Sequence, residues 1–175
     1  MTTIENESYR IAPLGASDLQ QYEELAGEIY QLLSDELTLQ FLPEKKLGSV
    51  AAAKSWLNTA LLNFHSGRNQ VHLIRSKGTG TLMGIIDLIP PCVARDHYRL
   101  TKYPYFIEFY LKSSARGNAL MSRLLPKVAA HLRNEGIDEL AAVVNRQNLA
   151  AHKVLKRSGF RLQGKFDALQ DIYLF

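Results

Sequence analysis

Two adjoining segments carry the residues best placed to do chemistry. YFIEFYL (105–111) alternates as a strand would, with Glu108 and Tyr110 on one face and Phe109 and Leu111 on the other. Glu108 is a candidate general base, and the Tyr110 phenol is a candidate acid. The residues that follow, SSARGNALMSRLLP (113–126), put Arg116 and Gly117 where the strand hands over to a helix with Leu120, Leu124, Val128 and Leu132 on one stripe. The first turn of a helix has unpaired N–H groups and the positive end of the helix dipole. A tight turn that aims those donors at one point reads as a cradle for a phosphate or pyrophosphate, with a plain strand-to-helix turn as the alternative. Neither GxxxxGK[ST] nor GxGxxG occurs in the chain.

Other reactive side chains carry weaker patterns. Cys92 is the only cysteine, which excludes an intrachain disulfide and a multi-thiolate zinc site. His65, His72, His131 and His152 show no metal-ligand spacing, and His152 is expected to be exposed. Asp87 interrupts the apolar run LMGIIDLI, a costly place for a carboxylate without a partner. Trp56 lies on an amphipathic helix, as core or pocket wall. Glu23, Glu24, Glu28, Asp35 and Glu36 cluster early in the chain; facing inward they favour a cationic ligand, facing outward they are a solvated helix surface.

The elements that must position these residues follow from periodicity and punctuation. A short strand fits 8–12, then a helix opens at Ser17, with Ser17 and Gln20 at capping-box spacing and Leu19, Tyr22, Leu25, Ile29 and Leu32 as its apolar face. A second helix fits Ser49 to about Ser66. A hairpin joins 70–76 to 81–89 through KGTG, and Pro90-Pro91 ends it. A long loop, 90–104, carries Cys92, His97, Tyr98 and Tyr103. Then come strand 105–111, a helix over 117–134 that Pro126 should kink, strand 138–144, a helix over 147–158, and strands 159–165 and 168–174. This order predicts an α/β chain of the mixed α+β kind: one domain over 1–175, a mostly antiparallel central sheet with a parallel β-α-β unit at 105–144, and flanking helices. The last strand, ALQDIYLF, either ends the sheet or pairs with a second copy, and of the two a homodimer is the expectation.

Bulk numbers bound the function classes. The chain has 175 residues, 46% hydrophobic and 22% charged, as an ordinary globular protein has. Lys plus Arg exceed Asp plus Glu by 21 − 17 = 4, without the dense basic runs of a nucleic-acid binder, so no nucleic-acid partner is expected. No apolar run approaches the roughly 18 residues of a membrane span. The polar, acidic start MTTIENESYRI is unlike a signal peptide, and a cytoplasmic protein without a membrane partner is the expectation.

A second segment sharpens the first. AVVNRQNLAAHKVLKRSGF (142–160) is a strand, a short helix, Gly159 and a strand start at Phe160. Together the two segments resemble the GNAT superfamily of N-acetyltransferases. Its first signature is a strand end followed by [QR]-x-x-G-x-[GA] opening a helix; LKSSARGNALM (111–121) fits that frame without a gap, and within the bracketed motif only Arg116 keeps the expected type. Its second, N-x-x-[SA], seven residues, then G-F, is met by Asn148, Ala151, Gly159 and Phe160. The N-terminal pattern is most similar to the ribosomal-protein-alanine and spermidine acetyltransferase branch.

The resemblance implies acetyl-CoA as cosubstrate and direct transfer of its acetyl group to a primary amine on a protein N-terminus, a polyamine or another small amine. It implies that the pyrophosphate rests on the backbone of Arg116, Gly117, Asn118, Ala119, Leu120 and Met121. It implies that the pantetheine arm lies along the backbone of Leu111 and Lys112 and meets Asn148. The departures are Ala119 and Met121 in place of small motif residues, Pro126 inside the helix, and Leu155 where many members carry a proton-donating tyrosine. They motivate one alternative, a non-catalytic CoA-binding or regulatory protein.

Overall fold

The protein, seen as a computed structural model, is described over residues 1–175, the side chain of Ala16 excepted. In chain order the strands are β1 (Ile4–Glu5), β2 (Tyr9–Pro13), β3 (Gln70–Ser76), β4 (Leu82–Ile89), β5 (Tyr105–Leu111), β6 (Leu140–Asn145), β7 (Arg161–Lys165) and β8 (Gln170–Leu174). The helices are α1 (Tyr22–Ser34), α2 (Val50–His65), α3 (Pro91–His97), α4 (Leu120–Asn134) and α5 (Leu149–Arg157). The strands form one sheet in the order β1-β2-β3-β4-β5-β6-β8-β7. Pairs β1–β2, β2–β3, β6–β8 and β7–β8 are antiparallel, whereas β5 and β6 run parallel over Tyr105↔Leu140 and Phe106↔Ala141. A mixed α/β fold with a mostly antiparallel sheet is thus what the residue pattern led us to expect. Among the described residues no helix is long and apolar enough to cross a membrane.

The chain forms two compact units. One comprises Thr2–Asp87 and Phe109–Arg116, the other Met1, Leu88–Glu108 and Gly117–Phe175. In the first, α1 buries Leu25, Ala26, Ile29, Leu32 and Leu33, and α2 buries Ala53, Leu57 and Ala60. They close over Leu73, Leu82, Ile85 and Tyr110 in one apolar cluster. Ser49 caps α2 by accepting from Ala52 N–H at 3.1 Å. The start of α1 differs from expectation. A 3-10 turn, Ala16–Gln21, precedes it, and the capping bond runs from Gly15 N–H to Asp18 Oδ2 at 3.0 Å. Ser17 therefore lies inside the turn, and the box partner is Asp18 in place of Gln20.

The acidic residues near α1 are used within the protein. Glu28 accepts from Leu82 N–H at 2.7 Å with one oxygen and from the Arg75 guanidinium at 2.9 Å with the other. Glu23 pairs with Lys54 and Glu36 with Lys46. Glu23 and Glu36 are 75% and 85% exposed, as the solvated-face reading expects, whereas Glu28 is largely buried and committed to Leu82 and Arg75. Asp87 accepts from Asn69 Nδ2 at 3.1 Å, as a carboxylate in an apolar strand requires.

In the second unit, α4 buries Leu120, Met121, Leu124, Leu125, Val128, Ala129 and Leu132 along one face. It runs from Leu120 to Asn134 as one helix with Pro126 inside it. The segment 90–104 is not an unbroken loop either: α3 occupies Pro91–His97, with Pro91 at its first turn, where a missing N–H removes no bond. Cys92 is exposed there, and Val93 and Ala94 pack with Ile89, Phe106 and Ala141.

One close approach sets the end of β5. A Cβ placed on Gly84 of β4 would collide with the Tyr110 carbonyl oxygen and lie 2.7 Å from Leu111 Cδ2. Only glycine lets the two strands meet there. Gly84→Ala should lower stability by about 2 kcal/mol through overpacking, read as a shifted urea midpoint. An unchanged midpoint would mean that the strands part at no cost.

Candidate functional site

The end of β5 continues into residues 112–116 within the first unit. Lys112 N–H donates to Met83 O at 2.9 Å. That N–H shares a trans peptide group with the Leu111 carbonyl, which therefore points to the side away from β4. There it meets Thr38 Oγ1 at 3.0 Å, and the same oxygen lies 2.9 Å from Asp35 Oδ2. Asp35 also accepts from Leu37 N–H at 3.0 Å. Burial pushes the Asp35 carboxyl up, but hydrogen bonds from the Ser113 side chain, Thr38 and the N–H groups of Leu37 and Ser113 outweigh it and hold the group below its usual value. Lys112 Nζ reaches Gln31 Oε1 at 3.3 Å, and the Arg116 guanidinium donates to Leu37 O at 2.8 Å. Leu111 and Arg116 are therefore joined to the turn that follows α1, and Lys112 to α1 itself.

Sequence reading named Leu111, Lys112 and Arg116, placed Asp35 only in an acidic cluster, and missed Thr38. The signal present was a local one: an Asp followed three residues later by Thr at a helix end, a common turn pattern. Nothing in it points to Leu111, 73 residues away. Tyr110, on the same strand, is buried in the apolar cluster, with Lys45 Nζ 5.5 Å from its ring centroid. Glu108 is half-buried on β5.

The second unit resumes at Gly117. Its φ is 83°, in the left-handed region where glycine is unstrained, and a Cβ there would meet nothing within 4 Å. Ala119 is also left-handed, at φ 52° and ψ 24°, and it is the residue that caps α4. An alanine has no side-chain acceptor, so the first N–H groups of α4 are uncapped by a side chain. Gly117, Asn118 and Ala119 are exposed, whereas Leu120 and Met121 turn inward, 2% and 3% exposed. Met121 thus packs into the core and does not crowd the turn. An exposed run of backbone ending in an uncapped helix N-terminus suits a phosphate.

Asn148 opens α5, and its Oδ1 accepts from Ala151 N–H at 3.1 Å. Its Nδ2 is left to donate outward. The turn before it is held firmly. Asn145 O accepts from Asn148 N–H at 2.8 Å and from His152 Nε2 at 3.2 Å, while His152 Nδ1 lies 2.7 Å from the Tyr173 hydroxyl. A carbonyl can only accept, so Nε2 carries the proton and Tyr173 donates to Nδ1. His152 is half-buried in this network, not exposed as its position had suggested. Burial, with the nearby Asp171 charge second, raises the Tyr173 phenol above its usual value. Leu155 is 1% exposed and offers no proton. Among the described residues no group of His, Cys, Asp and Glu is arranged to hold a metal ion.

The geometry can be set beside known proteins. A family model described as an acetyltransferase (GNAT) domain matches residues 18–161. No curated protein sequence matches the chain significantly. Among solved structures, a GNAT-family acetyltransferase from Bacillus anthracis is 14% identical, with 99% of this chain and 96% of that one covered and a TM-score of 0.72. The ribosomal L7/L12 alpha-N-protein acetyltransferase RimL, in complex with coenzyme A, is 17% identical, with 99% and 97% covered and a TM-score of 0.71. The ribosomal-protein-S5-alanine acetyltransferase from Vibrio fischeri is 13% identical, with 100% and 96% covered and a TM-score of 0.70.

The left-handed alanine is strained, on the scale of about 1 kcal/mol. Ala119→Gly should relieve that strain and raise stability by up to about 1 kcal/mol in chemical denaturation. A loss of stability would show that the methyl group packs well enough to repay its conformation.

Proposed function

The chain belongs to the GNAT acetyltransferase family, and we propose that residues 1–175 act as one domain that moves the acetyl group of acetyl-CoA directly to a primary amine. The observation that carries this reading is the continuous segment Leu111–Met121. It joins an outward-facing strand carbonyl to an exposed turn and an uncapped helix N-terminus. Solved proteins of the same fold are named for coenzyme A and for ribosomal-protein N-termini. A protein N-terminal amine therefore heads the acceptor class, ahead of polyamines and other small amines. The proposed setting is the cytoplasm, and a homodimer remains the proposed assembly.

In this reading the backbone of Leu111 and Lys112 aligns the pantetheine arm, and Asn148 Nδ2 donates to it. The N–H groups of Gly117, Asn118, Ala119, Leu120 and Met121 hold the pyrophosphate, with Arg116 as the added charge. Acetyl-CoA supplies the activated thioester. Glu108 takes the proton from the acceptor's ammonium, directly or through a water, because only the neutral amine has a lone pair to offer. Lys45 beside the Tyr110 ring disfavours a second cation there, which reinforces the need for a neutral amine. Tyr110 is the proposed acid toward the departing thiolate, since Leu155 provides none. A CoA-binding protein without turnover is the second reading, and the buried Leu155 favours it.

Unfolding with acetyl-CoA, CoA and ATP tests the cofactor. A ligand at 100 times its dissociation constant adds about 2.7 kcal/mol. We expect an upward shift with acetyl-CoA and CoA but not with ATP; no shift at millimolar acetyl-CoA would sink both readings. If CoA binds and no amine is acetylated across a broad acceptor panel, the non-catalytic reading stands. Given turnover, Glu108→Gln should lower kcat by about a hundredfold or more, the scale of a lost general base. Unchanged kcat would remove Glu108 from the mechanism.

A further inference from the structure

One proton is asked to serve two acceptors in the turn after α1. Thr38 Oγ1 lies 2.9 Å from Asp35 Oδ2 and 3.0 Å from the Leu111 carbonyl oxygen. A hydroxyl has a single hydrogen and can make only one of these bonds well. The carboxylate is the better acceptor, because charge-assisted hydrogen bonds are roughly twice as strong as neutral ones. Asp35 is kept ionised for that role by Leu37 N–H and by Ser113. The turn is pinned from its other side as well, where the Arg116 guanidinium donates to Leu37 O at 2.8 Å. Thr38 therefore turns its proton to Asp35 and a lone pair toward Leu111. Since Lys112 N–H is committed to Met83 O, the Leu111 carbonyl is the strand-end group left with unmet accepting capacity on the side away from β4.

We propose that Asp35 is a positioning residue that draws the Thr38 proton to itself and so keeps the Leu111 carbonyl available to accept the N–H of an extended amide ligand. The proposal rests on the functional reading above, in which that ligand is the pantetheine arm of acetyl-CoA. Neither side chain touches the reacting atoms. Their effect falls on cofactor affinity, by deciding whether an incoming N–H finds the carbonyl open or already taken by a hydroxyl. Neutralising Asp35 makes its side-chain carbonyl and that of Leu111 equal competitors for the proton. Removing the hydroxyl ends the competition whatever stands at position 35.

The test uses Asp35→Asn, Thr38→Val, Thr38→Ser and the Asp35→Asn/Thr38→Val double variant of the whole chain, each first checked for a cooperative unfolding transition. In the free protein, the Leu111 carbonyl ¹³C resonance should move downfield in Asp35→Asn and return in the double variant. By calorimetry, the acetyl-CoA dissociation constant should rise about three- to tenfold in Asp35→Asn, the scale of one neutral hydrogen bond. Thr38→Val should bind as tightly as the wild type or more so, Thr38→Ser should match the wild type, and the double variant should recover to within about twofold. An unmoved Leu111 resonance in Asp35→Asn overturns the proposal, as does weakened binding in Thr38→Val, which alone decides the matter if Asp35→Asn does not fold. Failure of the wild type to bind acetyl-CoA would instead overturn the functional reading, while the carbonyl resonance still reports where the proton sits.

Discussion

The end of β5 depends on one peptide group, Leu111–Lys112, whose trans geometry points its N–H and its C=O in opposite directions. Lys112 N–H is tied into the sheet through Met83, and the Leu111 carbonyl is turned out of it. The absent side chain at Gly84 makes this possible, because any Cβ there would push Tyr110 and Leu111 away from β4. The rest of the proposed chemistry inherits its placement from that approach. Without it, Tyr110 would leave the apolar cluster under α1 and α2, and the turn toward Arg116 would start from a different point.

The chain continues from that strand end into backbone that is unusual in a second way. Gly117 and Ala119 are both left-handed, and only the first is a residue type that adopts this conformation freely. Such strain collects where the chain is shaped for a task, and here it leads into a helix start with no side-chain cap. The inward packing of Leu120 and Met121 anchors the helix behind the turn, so the exposed donors are held by a buried stripe and not by the loop itself. In α5, Asn148 caps its own helix with one side-chain atom and keeps the other available, and the His152–Tyr173 pair fixes the turn that presents it.

Short-range features were readable from residue types. The start of α2 near Ser49, the KGTG hairpin turn, the stripe of α4 and the alternation of β5 all depend on neighbours a few positions apart. What stayed hidden has physical reasons. Helix α3 has seven residues, too few to show a period, and Pro91 looked like a strand terminator although it also suits a first helical turn. Strand β1 is two residues long and exists only through its pairing with β2. His152 gave no sign of its role because its partners, Asn145 O and the Tyr173 hydroxyl, come from two different strands. Thr38 and Leu111 meet only after folding brings α1 against the sheet, and Ala119 takes a glycine's conformation without being glycine. Of the proposed site, the motif backbone was visible in the chain and the side chains that tune it were not.

Glu28 grips the sheet with both oxygens, one on Leu82 N–H and one on Arg75. Seven residues further on, Asp35 begins the turn that reaches Leu111. Between them α1 works as a ruler, fixed at one mark and read at the other. Each residue of an α-helix advances about 1.5 Å and turns about 100°. A single insertion or deletion between the two acids would leave both ends chemically intact yet rotate Thr38 off its carbonyl. The length of that interval, more than the identity of the residues within it, is what this part of the chain must preserve.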